Sequence, residues 1–350
     1  MNQKTYIFKI NDNNFNEVIE CAASIIKKGG TVAFPTETVY GLGADALNSN
    51  AVCNIFKAKN RPPDNPLIVH IHSIKSISNV VIDVPDIAFK LMDKFWPGPL
   101  AIILNRKNQV PDITTSGLNT VAIRMPNNEI ALELIRKSGK PIAAPSANLS
   151  GKPSPTEAKH VIADLNGKID AIIDGGFVNI GLESTIIDLT SRNPTILRPG
   201  SIGIEEIMDC IGDVDIGYGL EYDVEKSLKS PGMKYTHYSP DTKMILVEGE
   251  HSKVVDKIIF LLSECHKKNT KVGILCIGEY EQYAYAKEIF ILGNLDDYKM
   301  VARNLFKGMR FLDEKKLDLI IVDGSNCYES IGVTIHNRLK KAADECIQVL

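Results

Sequence analysis

The sequence predicts an α/β protein in two parts: a helix-flanked sheet of at least six strands, then a smaller doubly wound, Rossmann-like layer. Three observations predict it. The chain has 350 residues, more than one domain of roughly 100–200 residues usually holds. Its apolar residues alternate between helical spacing and short strand-like runs. All 17 prolines fall from Pro35 to Pro240 and none follows, so the composition changes near 230–240.

Each element has its own justification. Residues 14–28 (NFNEVIECAASIIKK) have helical spacing, and Gly29-Gly30 stop the helix. TVAF (31–34) reads as a buried strand. PLIVHIH (66–72), LAIILNR (100–106), TVAIRM (120–125), PIAAP (141–145), IDAIID (169–174), STIIDL (184–189) and PTILRP (194–199) read the same way. Helices fit 50–58, 84–95, 128–138 and 155–165. Residues 211–230 show no clear periodicity and hold three glycines, which reads as a linker. Beyond it, strands at 243–249, 271–278, 288–293 and 317–324 alternate with helices at 252–267, 295–315 and 331–343. No G-x-G-x-x-G follows any of these strands, so dinucleotide binding is not supported.

Composition excludes several classes. An apolar fraction of 44% and a charged fraction of 24% suit a globular protein rather than a disordered one. No apolar run approaches the roughly 18–20 residues of a membrane helix, and the first residues lack a secretory pattern. A net charge of −3 argues against a broad polyanion-binding surface while allowing a local basic pocket. The seven cysteines, at 21, 53, 210, 265, 276, 327 and 346, include no C-x-x-C pair and suit reduced thiols in a cytosol.

Several loops could carry chemistry. FPTETVYGLG (34–43) breaks a strand with proline and gathers hydroxyls, a glutamate and glycines, which can present polar groups to a ligand or form a plain strand-to-helix turn. KAKNRPPDN (57–65) is the densest basic cluster of the first part. Its Lys57, Lys59 and Arg61 share a face only if this helix end is extended; the alternative is a solvated helix terminus. Strand 67–72 sets Ile68, His70 and His72 on one face and Leu67, Val69 and Ile71 on the other. Two histidines at this spacing lack a third metal ligand, and one histidine contacting a polar ligand is the preferred reading. PSANLSGKPSPT (145–156) is not a P-loop, because Pro153 follows the lysine. It can still hold phosphates before a helix starting near Pro155, with Ser154 as its N-cap. Arg61, Arg124 and Arg198 each stand at or near a strand end beside proline, where arginines converge on anions. No nucleophilic triad or paired-carboxylate signal stands out.

In this order, FPTETVYGLG, Lys59-x-Arg61 with Asn65, NPLIVH, FWPGPL, TVAIRMP, PIAAPSANLSGKPSPT, GLESTIIDL and ILRPG resemble the YrdC-like family. SPGMKYTHYSP (230–240) and the C-terminal half resemble the long, two-domain form of threonylcarbamoyl-AMP synthases. The likeness covers roughly residues 8–345. Ala101 departs from it, standing where the family usually has threonine. The resemblance implies a YrdC-like twisted mixed sheet over 1–212, a linker over the active site at 213–240, and a Rossmann-like domain over 241–350.

It also implies a reaction. L-threonine, bicarbonate or CO2, and ATP give threonylcarbamoyl-AMP and pyrophosphate, with Mg2+ on the ATP phosphates. A separate tRNA threonylcarbamoyl transferase then uses the product beside the anticodon. Thr38, His70, Arg124, Ala144 and Ser184 are expected to line the threonine pocket. Arg61, Asn65, Thr120, Ser146, Ser154, Arg198 and Tyr238 are expected to hold ATP. Lys59 is expected near its phosphates, and Lys59 and Arg61 are the catalytic pair. The resemblance further implies a cytoplasmic protein with no membrane and no stable tRNA complex. Two rival readings are an RNA-binding module, disfavoured by the charge, and carbamoyl-adenylate chemistry of hydrogenase maturation, disfavoured by the missing C-x-x-C pairs.

Overall fold

Val18, Ile19, Ala22, Ala23 and Ile26 recur at helical spacing, and these five form the buried side of α1 (Phe15–Lys27). The computed structural model describes residues 4–218, 238–278, 281–294, 296–325 and 331–349. The chain divides into two units. The first comprises Met1–Ser150, Ser154–Asn179 and Glu183–Tyr235; the second comprises Gly151–Pro153, Ile180–Leu182 and Thr236–Leu350.

The first unit holds strands β1 (Tyr6–Lys9), β2 (Val32–Phe34), β3 (Gly41–Asp45), β4 (Ile68–His70), β5 (Leu100–Asn105), β6 (Thr120–Arg124), β7 (Ile142–Ala143), β8 (Ala171–Asp174), β9 (Thr185–Asp188), β10 (Thr195–Arg198) and β11 (Asp215–Ile216). They form one sheet in the order β1-β8-β2-β3-β7-β4-β6-β5-β9-β10-β11. It is mixed: β4 runs parallel to β6, while β5 and β7 run antiparallel to their partners β6 and β4. The helices after α1 are α2 (Ser49–Lys59), α3 (Asp86–Phe95), α4 (Asp112–Thr115), α5 (Glu129–Ser138), α6 (Ala158–Leu165) and α7 (Ile204–Ile211).

The alternation expected along 67–72 holds for its described core. Ile68 joins Ala101, Ile103, Ala122, Ile186 and Leu197 on one face. Leu67, Val69 and Ile71 enter the larger cluster on the other.

Some expectations need correction. The sheet has eleven strands, above the expected minimum of six; β1, β3 and β11 are not among the expected strands. The end of FPTETVYGLG is strand β3, paired with β2 and β7. Gly43 permits this: a Cβ there would lie 2.6 Å from both Ile142 and Phe34 side-chain atoms. Helix α6 starts at Ala158 with Glu157 as N-cap, so Ser154 caps nothing. In the expected linker, residues 215–216 pair with β10. Residues 219–237, most of the segment assigned to cover the active site, lie outside the described residues, as does Cys327.

The second unit is a five-stranded parallel sheet. Its strands are β12 (Met244–Gly249), β13 (Val272–Cys276), β14 (Glu288–Ile291), β15 (Leu319–Ser325) and β16 (Glu345–Gln348), in the order β14-β13-β15-β12-β16. Helices α8 (His251–Lys267), α9 (Tyr298–Asp313) and α10 (Ile331–Ala342) connect them. The layer is doubly wound, yet β15 lies between the first two strands, unlike the 3-2-1-4 order of dinucleotide-binding sheets. Among the described residues no helix is long and apolar enough to cross a membrane.

Candidate active site

Parallel pairing of β4 with β6 builds the site. His70 lies in register with Arg124, and Ile68 with Ala122. Extending that register sets Thr120 beside the residue after Asn65. One end of the strand pair therefore carries His70 and Arg124, and the other Asn65 and Thr120, roughly 13 Å apart at about 3.3 Å per residue. Bonds from Ser116 Oγ to Pro63 O (2.9 Å) and from Leu67 N to Thr114 O (3.0 Å) fasten the 61–65 loop at the second end. Arg61 donates through Nη2 to Asn65 O at 3.1 Å.

At the first end, the 34–43 segment folds over Arg124. Thr36 Oγ1 donates to Val39 O (2.7 Å), turning the chain within the loop. Thr36 and Thr38 share a hydroxyl contact at 2.9 Å, and Arg124 Nη1 donates to Thr38 Oγ1 at 3.0 Å. Arg124 Nε donates to Gly98 O. Nη2 of Arg124 lies 2.7 Å from Glu37 Oε1, and both side chains are only 5% exposed. That approach is a charge contact without hydrogen-bond alignment: Arg124 Nη2 and both Glu37 carboxylate oxygens lack a hydrogen bond. His70 meets the edge of Phe34, and its Nδ1 has no hydrogen bond among the described residues. Burial, then the neighbouring Arg124 guanidinium, pushes the imidazole down to about 3, so it is neutral in ordinary buffers.

Lys59 is wholly buried on the last turn of α2, with Nζ bonded to Ser146 O and Asn148 O, each at 2.5 Å. The helix thus runs through Lys59, and Lys57 points to solvent instead of sharing its face. Gly41 bridges Ser146, Leu42 N donates to Pro145 O, and Ala147 N donates to Tyr40 O. The 145–148 loop is therefore held against the 34–43 segment, beside buried Ala144.

Arg198 ends β10 and donates to Ser184 O through Nε (3.1 Å) and Nη2 (2.8 Å), and to Ser184 Oγ at 3.1 Å. Gly200 makes this closeness possible, because a Cβ there would lie 2.1 Å from Thr185 N. Ser154 Oγ donates to Glu183 Oε1 at 2.5 Å.

The structure thus gathers Thr38, His70 and Arg124 directly, joins Lys59 to Ser146, Arg198 to Ser184 and Arg61 to Asn65, and sets Thr120 at the far end of β6. Tyr238 has packing of its own. It belongs to the second unit, buried, its ring 5.2 Å from Phe306 and 5.2 Å from the Arg338 guanidinium. Sequence reasoning missed Glu37 as the partner of Arg124 and Glu183 as that of Ser154. The carboxylate inside FPTETVYGLG was the available signal for Glu37. His72 lies beyond β4, and no group of three or more His, Cys, Asp or Glu residues suited to a metal occurs among the described residues.

A mixed α/β unit whose buried arginines and lysine converge with hydroxyls and backbone groups, without a nucleophile, belongs with enzymes that bind and juxtapose anionic substrates. Comparison with known proteins makes this specific. Residues 24–200 match the Sua5/YciO/YrdC family model, described as telomere recombination, and residues 202–344 match the C-terminal domain of threonylcarbamoyl-AMP synthase. The chain belongs to the Sua5/YciO/YrdC family, in its long form with the threonylcarbamoyl-AMP synthase C-terminal domain. It is 48% identical over 342 residues to the threonylcarbamoyl-AMP synthase of Pyrococcus abyssi, covering 97% of this chain and 98% of the relative. The Bacillus subtilis threonylcarbamoyl-AMP synthase is 46% identical, with 92% of each chain covered. The crystal structure of P. abyssi Sua5 complexed with L-threonine superposes with a TM-score of 0.90 at 46% identity, over 99% of both chains.

Proposed function

We infer that this chain condenses L-threonine, bicarbonate or CO2, and ATP into threonylcarbamoyl-AMP, releasing pyrophosphate. A tRNA threonylcarbamoyl transferase would then consume the product, in the cytoplasm. The observation that carries the reading is one buried strand end at which Arg124, Thr38 and His70 meet, adjoining a lysine and arginine set without a covalent nucleophile.

The chemistry asks for little else. Threonine's amine and CO2 form a carbamate, a weak and short-lived nucleophile. One carbamate oxygen attacks the α-phosphorus of ATP, the bond to the bridging oxygen breaks, and pyrophosphate leaves with that electron pair. The protein must bring three ligands together and offset negative charge, tasks worth several kcal/mol each in a preorganised site. Arg124 would pair with the threonine carboxylate, with Thr38, His70, Ala144 and Ser184 shaping the pocket. Arg61, Asn65 and Thr120 would take one part of ATP, and Ser146, Ser154 and Arg198 another. Lys59 would face its phosphates. The Arg198–Ser184 bond supports a shared border between the two ligands. Mg2+ is proposed to accompany ATP, held by its phosphates, where it would help neutralise their charge. The linker 213–240 is proposed as cover for this water-sensitive chemistry, with Tyr238 anchoring it in the second unit.

Mass spectrometry of the products formed with isotope-labelled bicarbonate tests the reading. The expected product is AMP joined to a labelled threonylcarbamoyl group, with one pyrophosphate per turnover. A product carrying phosphate instead of AMP, or turnover without threonine, would contradict it.

A further inference from the structure

The reaction needs a step that none of the roles above supplies. Threonine reaches the site with its amine protonated, and an ammonium has no lone pair with which to attack CO2. Somewhere in the pocket a group must take that proton.

Several neighbours are already committed. Lys59 Nζ is held by two carbonyls and carries a positive charge of its own. Glu183 accepts from Ser154. His70 is a poor acceptor, since burial disfavours the cation it would become, whereas a carboxylate that takes a proton becomes neutral. Glu37 differs from all of these. Its carboxylate is buried in contact with Arg124, and neither oxygen receives a hydrogen bond. A carboxylate can accept about four hydrogen bonds, and burying one without them is costly. The opposing nitrogen, Arg124 Nη2, is equally unspent. Few other places in this unit concentrate so much unused polar capacity.

The pair also has a shape. A guanidinium and a carboxylate 2.7 Å apart present one positive and one negative group side by side. The zwitterion of an α-amino acid has the same two charges at similar separation and in the opposite sense. Docked head to tail, its carboxylate meets Arg124 and its ammonium meets Glu37, and the four charges cancel in a buried place where an unbalanced charge is expensive.

We propose that Glu37 is the base of this reaction: it binds the threonine ammonium and takes its proton. The inference rests on the threonylcarbamoyl-AMP reading. In the first step the N–H electron pair stays on nitrogen and the proton passes to Glu37, giving a neutral amine and a carboxylic acid. The nitrogen lone pair then forms the N–C bond to CO2, one C=O π pair moves onto oxygen, and the second N–H proton leaves to solvent. The carbamate that results is anionic and ready for ATP. Neutralised Glu37 loosens its hold on Arg124, which remains with the substrate carboxylate.

The test is the pH profile of Glu37→Gln and Glu37→Asp, each first checked by thermal melt and by calorimetric titration with threonine. At neutral pH the glutamine variant is expected to turn over at least tenfold more slowly than wild type while still binding threonine. Its rate should climb as pH rises into the alkaline range, where the ammonium of free threonine loses its proton unaided. Glu37→Asp keeps the base one methylene farther away. It should lose turnover with little change in KM for threonine and keep the wild-type pH profile. If the glutamine variant fails to fold, the aspartate variant decides alone: an unchanged kcat, or a loss only in KM, overturns the proposal. So does a glutamine variant with wild-type turnover, or one slowed equally at every pH. Absence of threonylcarbamoyl-AMP from wild type would instead remove the underlying reading.

Discussion

Both units bury charged side chains, and they treat them differently. In the second unit the buried charges have near neighbours, although Glu248 Oε1 and Asp323 Oδ2 lack an aligned hydrogen bond. Glu248 Oε1 sits 2.9 Å from His336 Nε2 and 3.5 Å from Lys340 Nζ. Asp323 accepts from Ser325 N at 2.9 Å and from Ser325 Oγ. Arg338 lies against the Tyr238 ring and donates to Asn337 Oδ1. In the first unit, Glu37, Arg124 Nη2, His70 Nδ1 and Asn65 Oδ1 are buried without a hydrogen bond, along the strand pair β4–β6 and the loop over it. Burial of charge alone therefore does not mark the active site. Unspent hydrogen-bond capacity occurs in both units, and in the first it gathers at neighbouring residues where loops meet strand ends.

Substitutions can break this comparison. The largest effect on turnover is expected for Lys59→Ala, which removes a charge from the side proposed for the ATP phosphates and unties the 146–148 loop. Losing one such preorganised group typically costs about 10²–10³-fold in kcat, so a steady-state assay showing less than a tenfold loss would argue against Lys59's role. Next comes stability. Arg124→Ala leaves Glu37 buried without its counter-charge, a loss of about 3–5 kcal/mol. Denaturant unfolding should show a smaller loss for Arg124→Ala combined with Glu37→Gln than for Arg124→Ala alone. A double variant less stable than the single would mean the two do not form a balanced pair.

Acidity sharpens the contrast further. His70 is held neutral in the folded state, with its pKa depressed to about 3. The unfolded chain takes up that proton below about 6.5, so stability should fall as pH drops from 6.5 toward 3. His70→Gln should flatten the Tm-versus-pH curve over that window; an unchanged slope would locate the acid sensitivity elsewhere. The smallest effect is expected from Tyr238→Ala. It should lower the Tm of the second unit through lost packing against Phe306 and Arg338, and weaken ATP binding only modestly. A complete loss of ATP binding in a calorimetric titration would mean that Tyr238 touches the nucleotide directly.

Much of this was legible in the sequence. Strand and helix cores were readable wherever apolar residues kept their period for several turns, as in 14–28 or 252–267. Strands of two or three residues, such as Ile142–Ala143, have no period to read, so neighbour order within the sheet stayed hidden. Anion-facing arginines could be suspected from their prolines and strand ends. Their partners could not, because Glu37 reaches Arg124 across 87 positions of sequence and Arg198 reaches Ser184 only through the close approach at Gly200. For a related reason the motif around Tyr238 was readable, but not which unit would bury its ring.

The central claim is that threonine and ATP share a border yet rely on different arginines, Arg124 for threonine and Arg61 with Arg198 for ATP. Calorimetric titration of threonine and ATP, separately, into wild type, Arg124→Ala and Arg61→Ala tests it most directly. Arg124→Ala should lose threonine affinity by about 2–5 kcal/mol and keep ATP affinity, while Arg61→Ala should do the reverse. Equal losses of both ligands in both variants would contradict the assignment.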